Sequence, residues 1–183
     1  MPSASPYVTI EAWEESAAAQ RATARGVARL VADTLRHQFP SAAYLVLSID
    51  PEHDGAARLF PHSIRDEGGA TLYDFEDHLM PPVEHGTALS AAWGDLSPRD
   101  PFDVRLVLRR LAVAGAVFDS YPEDLRTDGD PAEESLPCLL LSPAARLAPF
   151  RHEDGAAANE RLLRPYGPPG DRFAPHGDAV CGA

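Results

Sequence analysis

The chain is 183 residues long, with 44% hydrophobic and 24% charged residues, which fits one domain built around one core. Its 28 acids against 16 basic residues leave a formal charge of -12, the opposite of the balance a non-specific nucleic-acid binder carries, so direct nucleic-acid binding is not expected. All 16 basic residues are arginine, and the missing lysine amine excludes phosphate-binding Walker loops, pyridoxal-phosphate enzymes and Schiff-base aldolases.

Asparagine occurs once, at Asn159, and isoleucine only at Ile10, Ile49 and Ile64, so codon bias in a GC-rich bacterial genome accounts for the lysine-free composition. Arginine can pair with anions but is a poor general base. Residues 1–15 carry neither a basic stretch nor an apolar segment of signal-peptide length, and the longest apolar run, Leu111 to Phe118, is too short to span a bilayer. A cytoplasmic location without membrane association is the expectation. Cys138 in an apolar segment and Cys181 near the end suggest one buried and one exposed thiol, with neither a disulfide framework nor zinc spacing.

In chain order, Thr9 followed by Glu11, Glu14 and Glu15 predicts a helix start, with Val8 and Trp13 at the two positions of a hydrophobic staple. The helix should run to about Gln38, with Trp13, Ala17, Gln20, Ala24, Val27, Val31 and Leu35 on one face and Arg21, Arg25, Arg29 and Arg36 on a separate arc. Gly26 inside it marks a bend or a close approach. After Pro40, Ala43 to Ile49 is a continuous apolar run and predicts a central strand. Residues 50–55 have hairpin-turn chemistry and lead to a second strand over 57–64, which Pro61 assigns to a sheet edge.

Asp66-Glu67-Gly68-Gly69 is a further turn, and alternation through Thr71, Tyr73 and Phe75 predicts a third strand, completing an antiparallel meander. A short helix should cover 88–93, capped by Thr87 and stopped by Gly94. Asp100-Pro101-Phe102-Asp103 is the clearest local signal, a cap with proline at N1, and opens a helix expected over 101–118. Val104, Val107, Leu108, Leu111 and Phe118 form one apolar face and Phe102, Leu106, Val113 and Val117 a second, so the helix reads as buried on both sides, with a partner subunit on the second face as the alternative.

Asp119 to Ser135 holds seven acids against Arg126 and reads as an exposed loop; Leu136 to Leu141 is a fourth strand. The predicted fold is therefore α+β: a small antiparallel sheet, a three-strand meander plus a fourth strand, packed against a long N-terminal helix and a central buried helix. Residues 1–142 form that single domain. Residues 143–183, rich in proline, glycine and alanine, form a largely flexible tail in which a short helix over 156–163 docks through Leu162 and Leu163.

Chemistry-bearing clusters are few. Asp74, Glu76, Asp77, His78, Glu84 and His85 combine imidazole and carboxylate as a metal site or proton relay does, yet His78 and His85 stand seven positions apart across Pro81 and Pro82, unlike a zincin helix. Asp50, Glu52, His53 and Asp54 follow the central strand, where active-site residues gather, but turn geometry explains the same residues. Asp128, Asp130, Glu133 and Glu134 lack the spacing of a calcium loop. The weak catalytic candidates are thus His53, His78, His85, Asp77 and Glu84, with no metal and no cofactor assigned.

The ridge Arg21, Arg25, Arg29 and Arg36 is a weak candidate interaction surface, although compensation by the chain's own acids is the simpler expectation. Missing catalytic motifs and a doubly apolar helix favour an acidic cytoplasmic bacterial protein acting as a non-enzymatic protein-interaction or regulatory module. A protein partner or homo-oligomer is expected. The alternatives are a small metal-assisted or acid-base enzyme using the segment around His78 and His85, and an acidic decoy that occupies a nucleic-acid-binding protein.

Overall fold

The structure, a computed structural model, describes residues 8–50, 59–75, 78–132, 135–148 and 162–166. Thr9 caps the first helix, α1 (Ile10–Gln38), by accepting a hydrogen bond from the Ala12 amide at 3.1 Å. The strands β1 (Tyr44–Ile49), β2 (Leu59–Arg65) and β3 (Thr71–Asp74) form the expected meander. Two further helices follow, α2 (Ala88–Ala92) and α3 (Pro101–Val113), and then β4 (Asp119–Ser120), a 3₁₀ turn over Glu123–Leu125, and β5 (Pro137–Leu140). The fold is α+β, with a five-stranded antiparallel sheet in the order β3-β2-β1-β5-β4.

β1 is central because its apolar residues serve both faces of the sheet. Leu45 and Leu47 join Val31 and Leu35 of α1, Ile64 of β2 and Val104 and Leu108 of α3 in the larger core. Tyr44 and Val46 face the other way, onto Tyr121, Leu136, Cys138 and Leu140. An unbroken apolar strand is what two covered faces require. Each fully buried leucine here stabilises the fold by about 1.5–3 kcal/mol relative to exposure.

The structure departs from the sequence expectations at four places. β2 lies between β1 and β3, so Pro61 does not mark an edge; the register steps from Val46↔Ser63 to Leu47↔Pro61, skipping His62, and this bulge disrupts the ladder beside the proline, where an amide donor is lacking. A fifth strand, the two-residue β4, occupies the edge where an exposed loop was predicted, with Asp119 and Tyr121 buried. α3 ends at Val113 instead of running to 118. Gly115, at φ +81°, gives its amide to the Ala112 carbonyl while the Ala116 amide reaches Leu111, both at 3.0 Å, the paired bonds of a Schellman stop.

The fourth departure is the second face of α3. Val104, Val107, Leu108 and Leu111 are buried, but Phe102 is 67% and Val113 76% exposed and Leu106 only partly buried, so the second face is not a buried one.

The core also draws on chain beyond position 142. Leu163 is buried in the larger core, its amide donates to Val117 at 2.6 Å, and Leu162 bridges Val117 in parallel. The expected helix over 156–163 lies mostly outside the described residues, as do the hairpin turn over 51–55 and Cys181. Among the described residues no helix is long and apolar enough to cross a membrane.

Candidate functional site

α1 keeps one apolar stripe along its whole length, but the body of the protein covers only part of it. From Ala28 onward the stripe is core, through Val31, Ala32 and Leu35, and Thr34 accepts a hydrogen bond from the Trp93 indole at 3.0 Å. Towards the N-terminus the same stripe is left open among the described residues: Trp13 is 65% and Ile10 76% exposed. Helix propensity carries this half, since Ala17, Ala18, Ala19 and Gln20 are good helix formers and the Thr9 cap closes the end. An exposed tryptophan in line with a buried stripe is unlike the scattered apolar residues that any surface shows.

Where the bare half meets the body, α1 and α3 enclose a groove of about 510 Å³. Ala19, Thr23, Ala24 and Val27 form one wall and Val107 and Leu111 the other. These walls are small or aliphatic, with Gln20 and Arg110 also on the lining, and the mostly apolar surface suits an apolar side chain. Val113 and Phe102 extend exposed apolar surface along α3.

The arginine arc lies on another side of α1. Arg21, Arg25 and Arg29 are exposed and Arg36 is partly buried. Arg29 is compensated within the chain, 3.6 Å from Asp33 and with its guanidinium 5.5 Å from the centre of the Tyr166 ring. The Tyr166 hydroxyl in turn donates to Asp33 at 2.7 Å.

The candidate catalytic residues are dispersed or outside the described chain. His53 and Asp77 lie outside it. His78 is exposed, its ring 5.1 Å from that of Tyr73 and its carbonyl accepting from the Tyr73 hydroxyl. Glu84 and His85 are exposed, and the Glu84 carbonyl accepts from the Thr87 hydroxyl at 2.9 Å. Among the described residues no three His, Cys, Asp or Glu side chains gather as a metal site would need.

The charged groups that do converge are buried and paired. Arg65 of β2 holds Asp130 through both guanidinium nitrogens, Nη1 at 3.0 Å from Oδ2 and Nη2 on Oδ1, with side chains 2% and 1% exposed. Its Nε donates to Ser63 Oγ at 2.9 Å, and its guanidinium lies 5.2 Å from the centre of the Tyr121 ring. Burial would raise the Asp130 pKa, but hydrogen bonds from Arg65 and the Thr127 amide, helped by the Arg65 charge, outweigh it and hold the carboxyl below its ordinary value. The Tyr121 and Tyr44 hydroxyls are both pushed up, chiefly by burial. Arg164 and Asp119 make a second such pair. Both pairs tie together segments distant in sequence, β2 to Asp130 and β4 to Arg164, an arrangement that stabilises loops.

Compared with known proteins, the chain matches no family model, no curated protein and no solved structure. Geometry alone therefore bears on function. It sets the bare half of α1 and the neighbouring groove apart from the rest of the described surface. The sequence reading had the stripe through Trp13 and Ala17 but not its loss of cover, because periodicity reports which residues share a face and not how far the neighbouring layer extends.

Proposed function

We propose that the protein is a non-enzymatic protein-interaction module whose interface is the exposed N-terminal half of α1 together with the groove against α3. The observation that carries this reading is Trp13, 65% exposed on the very stripe that forms the core one helical half later. Tryptophan is the residue type most enriched among side chains that dominate binding energy. The small-residue wall at Ala19 and Ala24 provides a place for an apolar knob from a partner. A cytoplasmic setting belongs to the same reading, since a chain with two cysteines has no disulfide framework to stabilise it outside the cell.

The test is photo-crosslinking in the native host, with a benzophenone side chain in place of Trp13 and, separately, of exposed Glu67. A discrete stoichiometric adduct from position 13 and none from position 67 is the expected result. Equal, diffuse labelling from both positions refutes the assignment of this face.

A further inference from the structure

We infer that the partner of this face is a second copy of the chain, bound through an antiparallel pairing of the two bare α1 halves about a twofold axis between Ala18 and Ala19. The inference rests on the interaction reading above and names its occupant. Three features of the sequence on that helix carry it.

The first is the repeat. Ile10, Ala17 and Ala24 recur every seven residues, and Trp13, Gln20 and Val27 repeat in the same way three residues later, which is the alternating three-and-four spacing of a two-helix seam. Antiparallel helices oppose the first set with the second. Ile10 then faces the partner's Val27, Trp13 faces the partner's Ala24, and Ala17 faces the partner's Gln20. A large residue meets an alanine in two of these layers, and two branched aliphatics meet in the third. Ala24 is also a wall of the groove, so the partner's Trp13 arrives where about 510 Å³ of apolar space is open. A polar residue inside such a seam fixes the register, the role Gln20 takes here.

The second is charge. Glu14 and Arg21 occupy the same flank of the stripe, seven residues apart, too far along one helix to pair with each other. In the antiparallel arrangement equivalent flanks face one another. Glu14 of each copy then comes within two positions of level with Arg21 of the other, about 3 Å along the axis and within reach of two long side chains, twice by symmetry. A parallel pair would instead set Glu14 level with Glu14 and Arg21 level with Arg21.

The third is length. The axis that aligns these layers opposes seam residues whose numbers sum to 37, and by the same count Ala28, the first fully buried residue of this side of the helix, comes level with Thr9, the cap. Each protein body therefore begins where the partner's helix ends, and the exposed end of each helix lies over the partly covered Ala24 and Val27 of the other. A helix of this span, roughly 27 Å at 1.5 Å per residue, buries less area than a standard interface. The dissociation constant should be on the order of 1–100 μM.

Analytical ultracentrifugation of the full chain across that range tests the proposal, with circular dichroism verifying that each variant keeps its helix. The wild type should shift from monomer to dimer as concentration rises, and Trp13→Asp should stay monomeric. Glu14→Arg and Arg21→Glu should each weaken dimerisation tenfold or more, and the double swap Glu14→Arg with Arg21→Glu should restore it, because only pairing between copies makes the swap neutral. A wild type monomeric to several hundred micromolar overturns the proposal, and so does a dimer that the single reversals leave intact. The interaction reading fails separately. A monomeric chain that still gives a discrete adduct with a different protein from position 13 removes the second copy and keeps the face, whereas absence of any discrete adduct removes both.

Discussion

Arg164 grips Asp119 with two hydrogen bonds, Nε to Oδ2 at 3.0 Å and Nη2 to Oδ1 at 2.8 Å, although the two residues lie 45 positions apart and both side chains are over nine-tenths buried. The pair pins residues 162–166 to the edge strand β4. Removing one member leaves the other charge buried without a counterion, a loss of about 3–5 kcal/mol, whereas replacing both with apolar residues of similar volume is often close to neutral. Asp119→Ala should therefore lower the urea midpoint strongly at unchanged slope, and Asp119→Leu combined with Arg164→Met should recover most of it. A single-variant loss below about 1 kcal/mol would mean that water reaches the pair.

The Arg65–Asp130 pair makes stability depend on pH with a definite sign. Its carboxyl titrates below the ordinary value in the folded chain, so folding favours the ionised form. That contribution is complete above the unfolded pKa of about 3.9 and drains away as pH falls through the folded value. Wild-type stability should thus drop between about pH 4 and more acid conditions. Asp130→Asn, destabilised by about 3 kcal/mol at neutral pH, should lose less over the same interval, because it has no proton to take up. Parallel curves for the two proteins, measured by urea unfolding at pH 5, 4 and 3, would contradict this assignment.

Local signals told most of the architecture, and nonlocal ones were silent. Thr9, Thr87 and Asp100 stand as caps where the sequence placed them, because a cap is a contact across two or three residues. The apolar run through Tyr44–Ile49 declared a strand covered on both sides. Asp119 and Asp130 read as solvated acids because their arginines lie 45 and 65 positions away, beyond the reach of any periodicity. Gly115 was a legible stop, hidden by the apolar residues on either side of it. The histidine segment went the other way: clustered in sequence, His78 and His85 sit exposed on the described surface.

Three glycines should respond to alanine in three different ways. Gly26 is inside α1 with open space where a Cβ would sit, so the close approach its position suggested is absent, and Gly26→Ala should stabilise by about 0.5–1 kcal/mol. Gly115 also has open space but holds φ +81°, so its substitution should lose about 1 kcal/mol from the backbone alone. Gly69, at φ +86°, would set a Cβ 3.0 Å from the Leu125 carbonyl oxygen and 3.1 Å from the Tyr121 hydroxyl, adding collision to strain. Thermal unfolding should rank the variants Gly26→Ala, wild type, Gly115→Ala, Gly69→Ala. Equal losses at positions 69 and 115 would show that the packing beside Gly69 yields freely.

Cys138 is fully buried and paired in register with Asp119 across β4 and β5. Burial pushes its thiol well above the ordinary range, the Asp119 charge adds to the rise, and Arg164 opposes it. A thiol that cannot ionise in place reacts only when the strands open. In a Cys181→Ser chain, labelling by a disulfide reagent at pH 8 should therefore proceed at the opening rate and accelerate with urea. Asp119→Ala should speed it about tenfold for every 1.4 kcal/mol of stability lost, provided opening is reversible and fast. Native labelling within about tenfold of the rate in denaturant would instead mean that the β4 edge is already open, and the Arg164–Asp119 pair could not be what holds it shut.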